Sequence, residues 1–500
     1  MKADFSRDTF DPGKRYSRVL MQQGRVQLDA DWNEQTSILL HYMRVLARDL
    51  IGPHGAALGP DGAAVPSAGF GIVVNANEIV GSNGALLKDS KDKSDQELFK
   101  QLQKKLDAGD FIVNPGRYYV DGWPVENVAP VASSDLSGWS TQYSTDFGKP
   151  PCLVYLDVWE REVTFVEDGH IREVALGGAD TCARAKIEWQ IRVWKPTDPQ
   201  AALTCDDLAK LPKHPGDGRL RARAKRVAQT SPCVISPDSR YTGAGNQLYR
   251  VEIHQGGAAG TATFKWSREN GSVIFSVVKM DSVDTSHDPN TVRVTLASLG
   301  RDERLGLREG DWVELVDAGE VLQNRADALL QVVKIEPDAL AVMLALSGPL
   351  AIAEDAPLLL RRWDQAGDAK SGGALPVVEY AAADMSKDAK WTTLEDGVEI
   401  WFEAGGTYAT GDYWLIPARV ITGDLEWPAE TDADGKVVMS NGVATPAALK
   451  PRGPRHYYAP LAHSEPGNAR DGRPVVTDCR CKIQRVSICP EHTPARRRNR

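Results

Sequence analysis

Apolar residues first fall into a regular pattern after Asp31, where Leu39, Met43, Leu46 and Leu50 recur at spacings of three and four. The spacing predicts an amphipathic helix whose apolar stripe faces a core while Arg44 and Arg48 point away. Gly52-Pro53 supplies the stop, a permissive residue followed by one without a backbone donor. A second helix is expected from Ser94, where Ser94-x-x-Glu97 forms a capping box and Leu98, Leu102 and Leu106 make the buried stripe. Between the two helices, residues 52–69 are rich in Gly, Ala and Pro and read as a loop or linker.

The period then shortens to the two residues of a strand. Residues 117–120 and 125–127 flank Asp121-Gly122, a dipeptide suited to a two-residue hairpin loop. Strand-length runs of β-branched and aromatic residues follow at 153–159, 162–167, 186–194, 248–254 and 262–266. Asn270-Gly271 predicts another hairpin, joining residues 266–269 to 272–275. Residues 291–360 carry short strands separated by turns, as in a small barrel or sandwich, and a last β-rich block runs from 398 to 462. No solenoid period is visible. The expectation is a mainly β, multidomain chain of β-sandwich or small β-barrel units with an N-terminal helical element. Its expected parts are a helix-plus-hairpin domain at 1–130, a β-rich domain at 150–285 with a polar insertion near 195–231, and a barrel-like unit at 290–360. A C-terminal β domain at 375–480 and a basic, cysteine-containing tail at 481–500 complete the division.

Composition narrows the classes. With 500 residues the chain exceeds a single ordinary core, and its 42% hydrophobic and 25% charged residues are those of a globular protein. A net charge of −9 argues against a partner that must be gripped by its phosphates, so no nucleic-acid binding is expected. No apolar run is long enough for a membrane-spanning helix. The first 35 residues are polar and lack a signal-peptide core, so synthesis and retention in the cytoplasm are expected.

Candidate chemistry is sparse. Cys152, Cys182, Cys205 and Cys233 are scattered and are expected to fill space rather than pair. Cys479, Cys481, Cys489 and His492 bring together three sulfurs and an imidazole, the donor set of a structural zinc site, although Cys-x-Cys is tighter than the usual pair spacing. The alternatives are free thiols on a frayed tail or a disulfide formed in an oxidising medium. Zinc is the one cofactor this suggests. Asp29, Asp31 and Glu34 read either as oxygen ligands for a hard cation or, more simply, as acids in a helix first turn with Asp31 as cap. Acid pairs such as Glu160 with Glu162, or Asp157 with Glu160, lie on expected strands, and His170, His254, His456 and His463 belong to no motif with a nucleophile. No serine-hydrolase elbow, phosphate-binding loop or zinc-protease helix is present, and no catalytic residue is assigned. Trp159, Trp189, Trp266 and Trp414 are expected in the core, while Trp401 and Trp414 offer the one hint of a glycan-binding face. The final residues 496–500 make a short basic tail.

The segments at 5–10 (FSRDTF) and 16–35 (YSRVLMQQGRVQLDADWNEQ) resemble the signature of a bacterial family of unknown function encoded among extracellular contractile injection systems, which are phage-tail-like particles. Residues 154–161 (VYLDVWER), 171–178 (IREVALGG), 262–273 (ATFKWSRENGSV), 411–419 (GDYWLIPAR) and 457–461 (YYAPL) are similar to it as well, and 117–127 (RYYVDGWPVEN) resembles hairpins of phage baseplate and fibre proteins. The resemblance implies a non-catalytic baseplate, spike-associated, fibre-like or cap component. Such a component binds other particle proteins, can form homo-oligomers and reaches the cell exterior only within a released particle. The rival expectations are a cargo effector carried in the tube, such as a hydrolase on a β scaffold, and a glycan-binding module.

Overall fold

The computed structural model describes the chain apart from residues 58–68, 199–201, 212–215, 227–239, 287–289, 318–321, 324, 347–358, 369–371, 386–387, 441–442, 466–473, 482 and 484–500. The architecture is mainly β, with the expected N-terminal helix. Two units form, each from separated stretches of chain. The first takes Met1–Ser37, Glu160–Lys186 and Pro212–Arg455, and the second Ile38–Trp159, Ile187–Leu211 and His456–Arg500.

In the first unit, alternation of apolar and polar positions builds two modules. Tyr413–Arg419 turns Trp414, Ile416 and Ala418 inward, and Gln247–Gln255 contributes Tyr249, Val251 and Ile253 to the same core. These strands lie in a sheet ordered Leu375–Pro376, Thr263–Ser267, Gln247–Gln255, Tyr413–Arg419 and Asp424–Leu425. A second sheet, centred on Val398–Glu403, adds Ile400 and Phe402 to that core. The other module is a closed barrel of the strands Ile274–Met280, Thr291–Leu296, Ala341–Ala345, Leu330–Glu336, Trp312–Val316 and Leu359–Trp363, in that order round the barrel. Val292, Val294 and Leu296 show the strict inward alternation that made this segment legible.

Two sequence expectations change here. Asn270-Gly271 does make a tight turn with both residues at positive φ (53° and 69°), but no hairpin forms. Thr263–Ser267 belongs to the sandwich sheet and Ile274–Met280 to the barrel, so the turn passes the chain between modules. The fully buried Asn270 side chain fixes it by donating to the Ala3 carbonyl at 2.8 Å. Within the polar stretch near 195–231, Leu220–Ala224 is a buried strand paired with Val398–Glu403. Its arginines mislead the eye. Arg223 is ion-paired with Glu399 at 2.8 Å and stacks on Trp391, and Arg221 pairs with Glu403 and Glu430, so the charges are neutralised where they are buried.

The second unit rests on a sheet ordered Arg184–Trp194, Cys152–Val163, Tyr457–Glu465 and Val475–Asp478. The expected hairpin at Asp121-Gly122 joins Gly116–Val120 to Trp123–Asn127, with both turn residues at positive φ. Helix α2 (Lys93–Asp107) buries Leu102 and Leu106 as its spacing requires, but its cap is Asp92, which accepts the Ser94 N–H at 2.7 Å, and not Ser94.

Helix α1 (Asp29–Ile51) forms as expected and is turned the other way round. From Ile38 onward it lies on the second unit through its charged side. Arg44 is ion-paired with Asp121 at 2.7 Å, and its guanidinium lies over the Trp123 and Tyr457 rings at 4.3 and 4.8 Å from their centroids. Gly122, at φ +80°, sits directly against the helix backbone, where any Cβ would strike the Arg44 carbonyl. Gly122→Ala is therefore expected to lower the unfolding free energy by about 1–3 kcal/mol and to detach this turn of α1. Hydrogen exchange of the amides around Arg44 checks this, with faster exchange than in the wild type as the outcome.

Candidate functional site

The apolar stripe of α1 faces solvent. Of the helix residues only Ala30 and Ile38 are buried, whereas Leu39, Met43, Leu46 and Leu50 are 53%, 66%, 61% and 50% exposed. Trp32, two turns earlier on the same stripe, is 73% exposed. The chain leading into the helix adds Tyr16, Leu20, Met21, Val26 and Leu28, all exposed and in no helix or strand. This arm is tethered at intervals. Ser6 N–H donates to Asp29 at 2.9 Å, Thr9 Oγ1 to Glu34 at 2.6 Å, and Val19 N–H to Gln35 at 2.8 Å. Asp31 lies inside the helix and accepts from Leu28 N–H, so it is not the cap residue itself. Asp29, Asp31 and Glu34 are thus engaged separately as acceptors that hold the arm, which is the structural alternative to a shared cation.

A cleft of about 720 Å³ in the first unit is lined by Arg7, Asp29, Glu269, Asp302, Arg304 and Arg419, among others. Its charges satisfy one another. Arg304 pairs with Glu269 at 2.7 Å, Arg419 with Glu426 at 2.9 Å, and Asp302 accepts the backbone N–H groups of Arg304 and Leu305. Deeper in this unit, Glu252 and Glu314 are buried among Lys2, Arg250, Lys265 and Arg361. Arg250 meets Glu252 at 2.6 Å, Lys2 meets it at 2.9 Å, Lys265 contacts both carboxylates, and Trp363 Nε1 donates to Glu314 at 3.1 Å. Burial alone would push both carboxyls up. The surrounding cations overcome it and hold Glu314 down to about 2 and Glu252 well below the usual range. The ionised form of both carboxyls is favoured by these neighbours.

The sequence-derived residues scatter across the fold. Asp157 is buried and bound by Arg192 at 2.8 Å and His456 Nδ1 at 2.7 Å, while His456 stacks on Trp159. His254 is buried, and burial pushes it down to about 4. His170 is exposed in a short 3-10 turn. Trp401 and Trp414 are 1% and 2% exposed, so the rings that suggested a glycan face are core, as are Trp159 and Trp266; Trp189 is half-buried against Phe70. Among the expected zinc ligands, Cys479 is disulfide-bonded to Cys205 and Cys481 is a free, exposed thiol. Cys489, His492 and the 496–500 tail lie outside the described residues, as does Cys233. Cys205 thus pairs rather than filling space, whereas Cys152 is a buried free thiol and Cys182 an exposed one. Sequence reasoning missed the Cys205–Cys479 pair because 274 positions separate the two residues.

Among the described residues, Asp412 is a carboxyl displaced strongly toward neutrality. It is buried just before the Tyr413–Arg419 strand and accepts the Ala409 N–H at 3.1 Å; burial pushes it from 3.8 up to about 6. A raised folded-state value favours the protonated form. Its stabilising contribution is complete below the unfolded value and lost as pH rises through 6. Asp412→Asn keeps an acceptor without the charge, so it is expected to gain about 1–3 kcal/mol over the wild type at pH 7.5. Urea unfolding at pH 4, 6 and 7.5 should show that gap opening across this range; a pH-independent gap would assign it to another cause.

No curated protein and no solved structure matches the chain. A family model described as "Family of unknown function (DUF6519)" matches residues 1–213 and 216–498, and the chain belongs to that family.

Proposed function

We propose that this chain is a non-catalytic assembly component, docked onto another protein subunit through the outward stripe of α1 from Leu39 to Leu50. The observation that carries the reading is the exposure of Leu39, Met43, Leu46 and Leu50 on one helix face. Apolar area left in water costs about 25 cal/mol per Å², and a contiguous patch of this kind marks a surface made to be covered. Anchors at i, i+4, i+7 and i+11 suit a helix laid into an apolar groove. The interlocked charges of the first-unit cleft and the Glu252 and Glu314 carboxyls held low by surrounding cations support a scaffold over an enzyme. The sequence resemblance supplies the setting, a contractile, phage-tail-like particle, with the groove on a neighbouring particle protein.

The double variant Met43→Glu/Leu46→Glu tests this. Both positions are exposed, so its unfolding free energy is expected to stay within about 0.5 kcal/mol of the wild type. When it is produced together with the particle genes, its co-sedimentation with sheath and tube proteins is expected to fall at least about tenfold, the loss from about 1.4 kcal/mol of docking energy. Undiminished incorporation of the variant, or a wild-type chain that never sediments with the particle, overturns the reading. A wild-type dimer that the variant converts to monomer, with no particle association, reassigns the stripe to self-assembly.

A further inference from the structure

We propose that Cys205, His463 and Cys479 form a zinc site in the reduced protein, and that oxidation exchanges the metal for the Cys205–Cys479 disulfide. The three residues come from distant parts of the chain and meet within the second unit. Cys205 begins the 3-10 helix Cys205–Lys210, His463 lies near the end of the Tyr457–Glu465 strand, and Cys479 follows Val475–Asp478 directly. Pairing of His463 with Thr477 and a hydrogen bond from Cys479 N–H to the Leu461 carbonyl at 2.9 Å bring the last two side by side. Two sulfurs and one imidazole nitrogen then lie within 4.8 Å of one another. Zinc at about 2.3 Å from each thiolate sets the sulfurs about 3.8 Å apart, so opening the disulfide and turning two side chains suffices to admit the ion.

A second observation points to a ligand. His463 is 8% exposed, and its Nδ1 is buried with no hydrogen-bond partner; the Glu465 carboxylate stands 3.8 Å away, within ion-pair range but too far for a hydrogen bond. A buried imidazole nitrogen left in this way costs free energy unless something completes the site. Two thiolates and a neutral imidazole balance the charge of Zn²⁺ and leave one position for water or for Cys481, two residues beyond Cys479. This donor set shares only Cys479 with the cluster at Cys479, Cys481, Cys489 and His492 that the sequence suggested.

The chemistry closes with a peroxide as oxidant. Two thiolates give up two electrons to hydrogen peroxide, two protons are taken up, and the products are the disulfide, two waters and free Zn²⁺. A dithiol or phosphine reductant reverses the sulfur step, after which zinc binding displaces the thiol protons.

The test uses full-length protein reduced with a phosphine under nitrogen, desalted, and titrated with Co²⁺ and then Zn²⁺. Reduced wild type is expected to bind one equivalent of Co²⁺ with thiolate charge-transfer bands and tetrahedral d–d bands, both lost on adding Zn²⁺. Hydrogen peroxide should then release one equivalent of zinc to a chelating dye as the Cys205–Cys479 disulfide forms, the disulfide being read by peptide mapping. Cys205→Ser and His463→Ala are expected to lose this stoichiometric binding, and Cys481→Ser to retain the charge-transfer bands. His463→Ala can still form the Cys205–Cys479 disulfide, so disulfide mapping of its oxidised form confirms that the site has folded. No cobalt spectrum in the reduced wild type overturns the proposal. So does unchanged binding in Cys205→Ser, which would hand the metal to the C-terminal cluster.

Discussion

One close approach decides what this protein shows to its surroundings. The backbone of α1 reaches the surface of the second unit at Arg44 only because Gly122 has no side chain, and the Asp121 carboxylate beside it captures the Arg44 guanidinium. With the charged side of the helix held there by an ion pair and two aromatic faces, the leucines and methionine on the other side have nowhere to go but outward. Helix amphipathicity fixes that two faces exist. It does not say which of them meets the rest of the chain, and here a turn seventy-odd residues away settles it in favour of the polar one.

The first unit follows a different logic, in which charge is buried and made harmless. Its sandwich and its barrel are both apolar inside, yet Arg250, Glu252 and Lys265 on sandwich strands meet Glu314 and Arg361 on barrel strands. Removing ions from water is expensive, and such a cluster persists only if every member is matched. Lys265 on a sandwich strand, in contact with Glu314 on a barrel strand, joins the two modules through charge. The same network holds the Glu252 and Glu314 carboxyls below the usual carboxylate range.

What could be read in the sequence was whatever depended on neighbours along the chain. Alternation in Thr291–Leu296 and Tyr413–Arg419, the Asp121-Gly122 hairpin and the α2 stripe all reflect contacts within a few residues, and all are present. What could not be read depended on partners far away. Leu220–Ala224 looks like a polar surface segment until Glu399, Glu403 and Glu430 arrive to neutralise its arginines. Asn270-Gly271 carries the right turn dipeptide, but the strands it joins find different sheets. The candidate site follows the same rule. The α1 stripe is evident in the sequence and its direction is not; Cys479 reads as part of a C-terminal cluster, whereas its disulfide partner Cys205 lies 274 positions away.

The threading of the second unit also has a consequence for its birth on the ribosome. Cys152 and Ser464, neighbours in its main sheet, are 312 positions apart, and nearly all of the first unit is encoded between them. At about 5–20 residues per second, roughly 15–60 s separate the emergence of these two strands. For that interval the Cys152–Val163 strand lacks one neighbour and presents an unpaired edge, while the sandwich and barrel are synthesised in full. The chain therefore completes its middle before it completes its beginning.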